Sequence, residues 1–78
     1  MKYIPREVIY KSIKKYLPMN TEMIHSASIW YWLAENVFDH SPRLRRDYCH
    51  AVVQRLEKEG FFLVTRSATN TKIYTRIK

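Results

Sequence analysis

The chain has 78 residues, 46% hydrophobic and 27% charged, with one glycine, three prolines and one cysteine. Fourteen basic against seven acidic side chains give it a net charge of +7. These totals suit one small globular domain, residues 1–78, with a modest core, and they exclude a disordered tail, a cysteine-based disulfide or zinc framework and a membrane-spanning segment. The first eleven residues, MKYIPREVIYK, lack the apolar run of a signal peptide, so the expected location is the cytoplasm, at the nucleoid if DNA is bound.

Residues 4–17 read as a first helix. Pro5 stands at its start, Pro18 lies just beyond it, and Ile9, Ile13, Tyr16 and Leu17 recur at i, i+4, i+7 and i+8. Lys11, Lys14 and Lys15 lie off that stripe and read as a solvated face. Residues 19–25 either begin a helix capped by Asn20 or Thr21 or form a short extended segment at 21–25. From Ala27 to Asn36 the pattern is helical again, with Ser26 or Ser28 as cap and Ile29, Trp30, Leu33 and Val37 on one face. Trp30, Tyr31 and Trp32 are too bulky for one short helix to bury together. They are expected to pack against the first helix; the alternative is a partner surface, where aromatic rings are enriched. Residues 37–41 connect to the next element.

Residues 42–59 read as the longest helix, with both ends written in. Ser41 is a good N-cap, Pro42 suits the first helical position, and Gly60 suits the left-handed residue after the end. Leu44, Tyr48, Cys49, Val52, Val53 and Leu56 form an apolar face; Arg43, Arg46, Asp47, His50, Gln54 and Lys58 lie opposite. This reading places Arg43, Arg45 and Arg46 in the first turn, where the helix dipole favours negative charge, so they are candidates to meet an anion. Arg43 and Asp47, at i and i+4, are also placed for a surface pair. Beyond Gly60, residues 61–67 have strand composition, 68–71 form a turn, and 72–78 alternate with Ile73, Thr75 and Ile77 on one side. Two such runs around a short loop make an antiparallel hairpin, which must dock on the helices to be stable.

The charge is uneven. Residues 1–40 hold five basic and four acidic side chains, and residues 41–78 hold nine and three. A one-sided basic surface is the electrostatic footprint of a polyanion partner.

The order of elements resembles the winged helix-turn-helix domains over nearly the whole chain. The residues that carry the likeness are Val52-Val53-Gln54-Arg55-Leu56-Glu57-Lys58-Glu59-Gly60-Phe61-Phe62, similar to the recurring apolar-x-Arg-Leu-Glu-Lys-Glu-Gly-apolar-apolar join between recognition helix and wing. The resemblance implies an α+β, mainly α fold: three helices followed by a C-terminal β-hairpin wing. It also implies a sequence-preferring protein that binds double-stranded DNA and regulates transcription. Helix 42–59 would enter the major groove, with Arg43, Arg46, Asp47, His50 and Gln54 towards the base edges and Arg45 as a phosphate ligand; arginine suits guanine and glutamine suits adenine. Ser41 or the amides after it would take a phosphate. Hairpin 61–78 would be the wing, with Arg66, Asn70, Thr71 and Lys72 along the backbone or minor groove. A single module offers little specificity, so a homodimer is expected, through the first helix or the aromatics.

The rival reading, from another class, is a winged helix that docks on an acidic protein partner as an inhibitor or adaptor, since fold does not settle function. No Ser–His–Asp, Cys–His or paired-carboxylate set stands in a supporting context, and one glycine cannot make a phosphate loop, so neither an enzyme nor a cofactor is expected. His25, His40 and His50 show no metal-ligand spacing.

Overall fold

A computed structural model describes residues 2–78. The elements run α1 (Arg6–Tyr16), β1 (Glu22–Ile24), α2 (Ala27–Asn36), α3 (Arg46–Lys58), β2 (Phe62–Arg66) and β3 (Lys72–Arg76). The fold is α+β: three helices and a three-stranded antiparallel sheet in the order β1-β3-β2. The extended option for residues 21–25 is the one adopted, so the hairpin gains a third strand.

Helix α1 starts after Pro5, whose carbonyl accepts from Val8 and Ile9, and stops at Leu17 because Pro18 has no N–H to continue it. Ile9, Ile13 and Leu17 are buried. Tyr16, expected on the same stripe, is exposed. α1 packs chiefly on α3 alone, so only a narrow stripe is covered, and Tyr16 falls at its edge with its ring 5.2 Å from Lys15 Nζ.

Helix α2 has the expected bounds and buries Ile29, Leu33 and Ala34. Its end is closed by His40 N–H donating to Ala34 O at 2.7 Å, across Asp39 and His40, both at positive φ (49° and 55°). α2 lies against α3 and β1; of its aromatic residues Trp30 and Trp32 are partly buried against the core and Tyr31 is exposed. Trp30 turns to the segment leading into α3, where its Nε1 donates to Leu44 O at 3.0 Å.

That contact changes where α3 begins. The helix starts at Arg46, four residues later than the sequence reading placed it. Leu44 O is taken by Trp30, and Arg43 O by the amide of Ile4 at 2.9 Å, so neither carbonyl serves a helical bond. Residues 41–44 instead make a turn in which Leu44 N–H donates to Ser41 O. Ser41 Oγ accepts from Arg43 N–H at 3.2 Å. Serine and proline suit the first two positions of such a turn as well as a helix start. The expected three arginines in the first helical turn are therefore corrected to one, Arg46, with Arg45 as N-cap and Asp47 beside them, and the conflict with the helix dipole is reduced. The Arg43–Asp47 pair does not form; Arg45 takes Asp47 instead, at 2.9 Å through each of two nitrogens.

Cys49, Val52, Val53 and Leu56 fill the centre of the core. The strand register sets two faces on the sheet. Met23, Phe62, Val64 and Tyr74 turn inward, with Met23 and Val64 flanking Tyr74. Ile24, Leu63, Ile73 and Thr75 turn outward, so the expected Ile73–Thr75–Ile77 side is the outer one. Arg76 ties the sheet to α1: its guanidinium donates to Leu17 O and, at 3.3 Å, to Lys14 O. It lies 4.7 Å from the Phe61 ring. A cation there satisfies carbonyls that the helix end leaves free.

Gly60 follows α3 with φ +78°, and a Cβ there would meet only the flexible end of Lys78, at 3.4 Å. Space is available, so the cost of a side chain is that of the left-handed backbone. Gly60→Ala is expected to lose about 1–2 kcal/mol in urea unfolding and Gly60→Asn clearly less; equal losses for the two would contradict a backbone origin.

Candidate nucleic-acid interface

With Cys49, Val52, Val53 and Leu56 turned inward, the hundred-degree step of the helix fixes what α3 shows outside. Asp47, Gln54 and Lys58 face away from the core, and all three are exposed. Arg46 and His50 lie on the flank towards α2. The Arg46 guanidinium sits 4.4 Å from the Trp30 ring and 5.8 Å from Tyr31, and His50 Nδ1 shares a hydrogen bond of 2.7 Å with Ser26 Oγ. A guanidinium stacked through its face keeps its edge N–H groups free for other acceptors.

The opposite flank, towards α1, is already satisfied. Arg55 binds Glu7 at 2.7 Å and Glu59 at 3.2 Å and lies 3.9 Å over the Tyr10 ring. The Glu7 carboxylate, first among these partners, raises the Arg55 pKa. The Tyr10 hydroxyl and then Arg55 hold the Glu59 carboxyl below its ordinary value. Arg45 is matched as well: besides its fork to Asp47 it lies 4.8 Å from the Tyr3 ring and 5.1 Å from Tyr48. Arg43 is exposed, and its side chain makes no hydrogen bond or ion pair among the described residues. Of the arginines proposed as contacts at the start of α3, Arg43 and Arg46 are thus unpaired with acid and Arg45 is not.

The hairpin loop is ordered by its own hydroxyls. Ser67 Oγ and Thr69 Oγ1 are 2.9 Å apart, Thr71 N–H donates to Ser67 Oγ at 3.2 Å, and Asn70 takes φ 65°. Arg66 Nη1 reaches Asn70 through both its main-chain and side-chain oxygens at 3.3 Å. Between this loop and α3 lies a cleft of about 370 Å³ lined by His25, Ser26, His50, Arg66, Asn70, Thr71, Lys72 and Tyr74. Two permanent cations, Arg66 and Lys72, border it, and no carboxylate does.

The structure therefore brings His50, Arg66, Asn70, Thr71 and Lys72 together in one cleft. Ser41, Arg43 and Arg45 lie in the segment before α3, and Gln54 stands further along the helix. His25, Ser26 and Tyr74 also line the cleft, and the sequence reading did not select them. They arrive through β1–β3 pairing, which sets Ile24 beside Ile73 and lets His25 N–H donate to Lys72 O at 3.2 Å. The available signal was weak: a serine offered as a helix cap and a three-residue strand.

No protein-family model, curated protein or solved structure matches this chain.

Among the described residues, no group of three or more His, Cys, Asp or Glu side chains could hold a metal ion, and no helix is long and apolar enough to cross a membrane. Cys49 is fully buried, and burial, with a smaller push from the Asp47 carboxylate, raises its thiol from 9.0 to about 12. A thiol held neutral this way is a poor nucleophile at neutral pH.

Linkage gives the sign of its effect on stability. The folded thiol has the raised value, so its contribution is fully present below pH 9 and is lost as pH rises towards 12. The melting temperature of the native chain should fall more steeply over that range than that of Cys49→Ala; parallel curves would contradict a thiol held neutral by burial.

Proposed function

We propose that this chain is a small duplex-DNA-binding protein, a transcriptional regulator of winged-helix arrangement. α3 lies in the major groove and the β2–β3 hairpin follows the adjacent backbone as a wing. The observation that carries this reading is the cleft between α3 and the hairpin, cationic at its rim and free of carboxylates. Two features support it. Three helices followed by a C-terminal hairpin, the order the winged-helix resemblance implies, are present, and a short strand β1 between α1 and α2 pairs with β3 besides. A helix of 13 residues is about 20 Å long and fits a groove about 12 Å wide.

In this reading the contacts divide by type. Lys72 and Arg66 neutralise phosphates beside the cleft, and Arg43 does so before the helix. Gln54, His50 and the edge of Arg46 face the bases. Asp47, on the same face, accepts a cytosine amino group or remains paired with Arg45.

One observation favours the rival reading, a module that docks on an acidic protein: Tyr31 is 57% exposed beside Trp30 and Arg46. Such a cluster of aromatic and arginine side chains suits a protein interface.

Fluorescence anisotropy on a labelled random duplex, titrated with salt, separates the two. Affinity should fall steeply with salt, and Lys72→Ala should flatten the log–log slope by about one unit on every sequence. After selection of a preferred site, Gln54→Ala should cost about 1–3 kcal/mol there and little on random DNA. A folded protein that does not bind DNA at low salt, or a Gln54→Ala loss equal on all sequences, would overturn groove readout by α3.

A further inference from the structure

We propose that the cleft between α3 and the hairpin takes up protons as it takes a phosphate: His25 and His50 become imidazolium cations around the anion, beside Arg66 and Lys72, so binding strengthens as pH falls. That the phosphate belongs to a duplex rests on the DNA reading above; the proton linkage rests on the cleft itself.

Both imidazoles are placed there by specific contacts. His25 occupies the corner between β1 and α2 at φ 68°. Its N–H donates to Lys72 O at 3.2 Å, and its carbonyl accepts from Ser28 N–H at the same distance, so the corner is fixed against β3. His50 comes from the other wall, on α3, where Ser26 Oγ lies 2.7 Å from its Nδ1. A serine hydroxyl both donates and accepts, so this bond survives protonation of the ring. The imidazolium donates from Nδ1 to Ser26 and keeps its Nε2–H for another acceptor. His50 stands where the cleft meets the base-facing row of α3. Its charge acts on the phosphate whether that N–H meets the phosphate or a base.

The surroundings set the sign. Arg66 of β2 and Lys72 and Tyr74 of β3 also line the cleft, and among the described residues no carboxylate does. On α3, Arg46 and Asp47 lie one turn before His50. Asp47 is held by two nitrogens of Arg45, and Arg46 lies 4.4 Å from the Trp30 ring. α2 meets His50 through its cap residue Ser26, and Glu22 of β1 turns to the outer face of the sheet. A phosphate in the cleft therefore supplies the negative charge that its lining lacks, and an opposite charge within about 4–6 Å favours the charged imidazole. The complex then holds each proton more tightly than the free chain does. The gain in affinity is complete where the free rings are already protonated. It is lost as pH rises until the bound rings are neutral too. Histidine is the side chain that titrates between about pH 5 and 8. His40, the third histidine, lies in the connection from α2 to α3 at φ 55° and does not line the cleft, so it serves as the internal control.

The test is a proton NMR titration of the imidazole Cε1–H signals from about pH 5 to 8, on the full chain alone and with a short random-sequence duplex at fixed low salt. The signals are assigned with His25→Asn, His50→Gln and His40→Asn. Asparagine tolerates the left-handed backbone at 25 and 40, and circular dichroism establishes that each variant is folded. The duplex should raise the titration midpoints of His25 and His50 by about one unit and that of His40 much less. Affinity of the native chain and of His40→Asn should be about tenfold or more greater at the acid end than at the alkaline end, a gain that shrinks in His25→Asn and in His50→Gln. A duplex that binds while His25 or His50 keeps its midpoint, or while all three histidines rise alike, would overturn the proposal and leave the DNA reading standing. A duplex that does not bind would overturn the DNA reading, and sodium sulfate against sodium chloride at matched ionic strength then decides the site. Sulfate, a tetrahedral oxyanion that does not titrate in this range, should raise both midpoints above their values in chloride; unchanged midpoints would overturn the cleft as a proton-linked anion site.

Discussion

Two main-chain carbonyls, those of Arg43 and Leu44, decide what the longest helix can present. Left to local preference they would accept from amides of a helix beginning at Pro42. The Ile4 amide and the Trp30 indole take them instead. An indole N–H with no acceptor on burial would be costly, so a half-buried Trp30 and a short turn at 41–44 support one another. With the helix begun at Arg46, the first turn has an aspartate where the dipole favours one. Arg43 is left on the approach, outside the helix, and Arg46 is laid against Trp30. The outward row of the helix thereby loses Arg43 and keeps Asp47, Gln54 and Lys58, with Arg46 and His50 on its flank.

The second constraint is the pairing of a three-residue strand with the last one. β1 is short, but its register with β3 places the 25–26 corner beside the hairpin and opposite His50. Arg76 then fastens β3 to the carbonyl end of α1. A hairpin held at both sides this way stands across the cleft from α3. The same register gives the sheet two faces: every arginine and lysine of the strands turns inward, and Glu22, Ile24, Leu63, Thr65, Ile73 and Thr75 turn outward.

Elements with strong local signals were legible from the residues alone. Prolines bracketed α1, apolar spacing gave α2 its observed bounds, and Gly60 marked the end of α3 in the left-handed conformation. The hairpin followed from composition and alternation. What was not legible depended on distant partners. The Ser41-Pro42 pair serves a turn and a helix start equally well, and only Trp30 and Ile4 select between them. The stripe through Tyr16 was counted too wide because nothing local says that α1 meets one neighbour. Of the candidate site, the loop residues Asn70, Thr71 and Lys72 and helix residue His50 line one cleft, a convergence no spacing in the sequence announces. His25, Ser26 and Tyr74 join them through strand register, which a three-residue strand cannot announce in sequence.

The most direct test of the proposed interface is a nitrogen-15 NMR titration of the chain with a short duplex at low salt, reading every backbone amide. Under groove binding by α3, shifts concentrate at 46–54, 66–72 and the 25–26 corner, and leave Leu63 and Thr75 on the outer sheet face unmoved. Shifts centred on α1 or on the outer sheet face, or none at all with the protein folded, would contradict the placement of DNA against α3 and the hairpin.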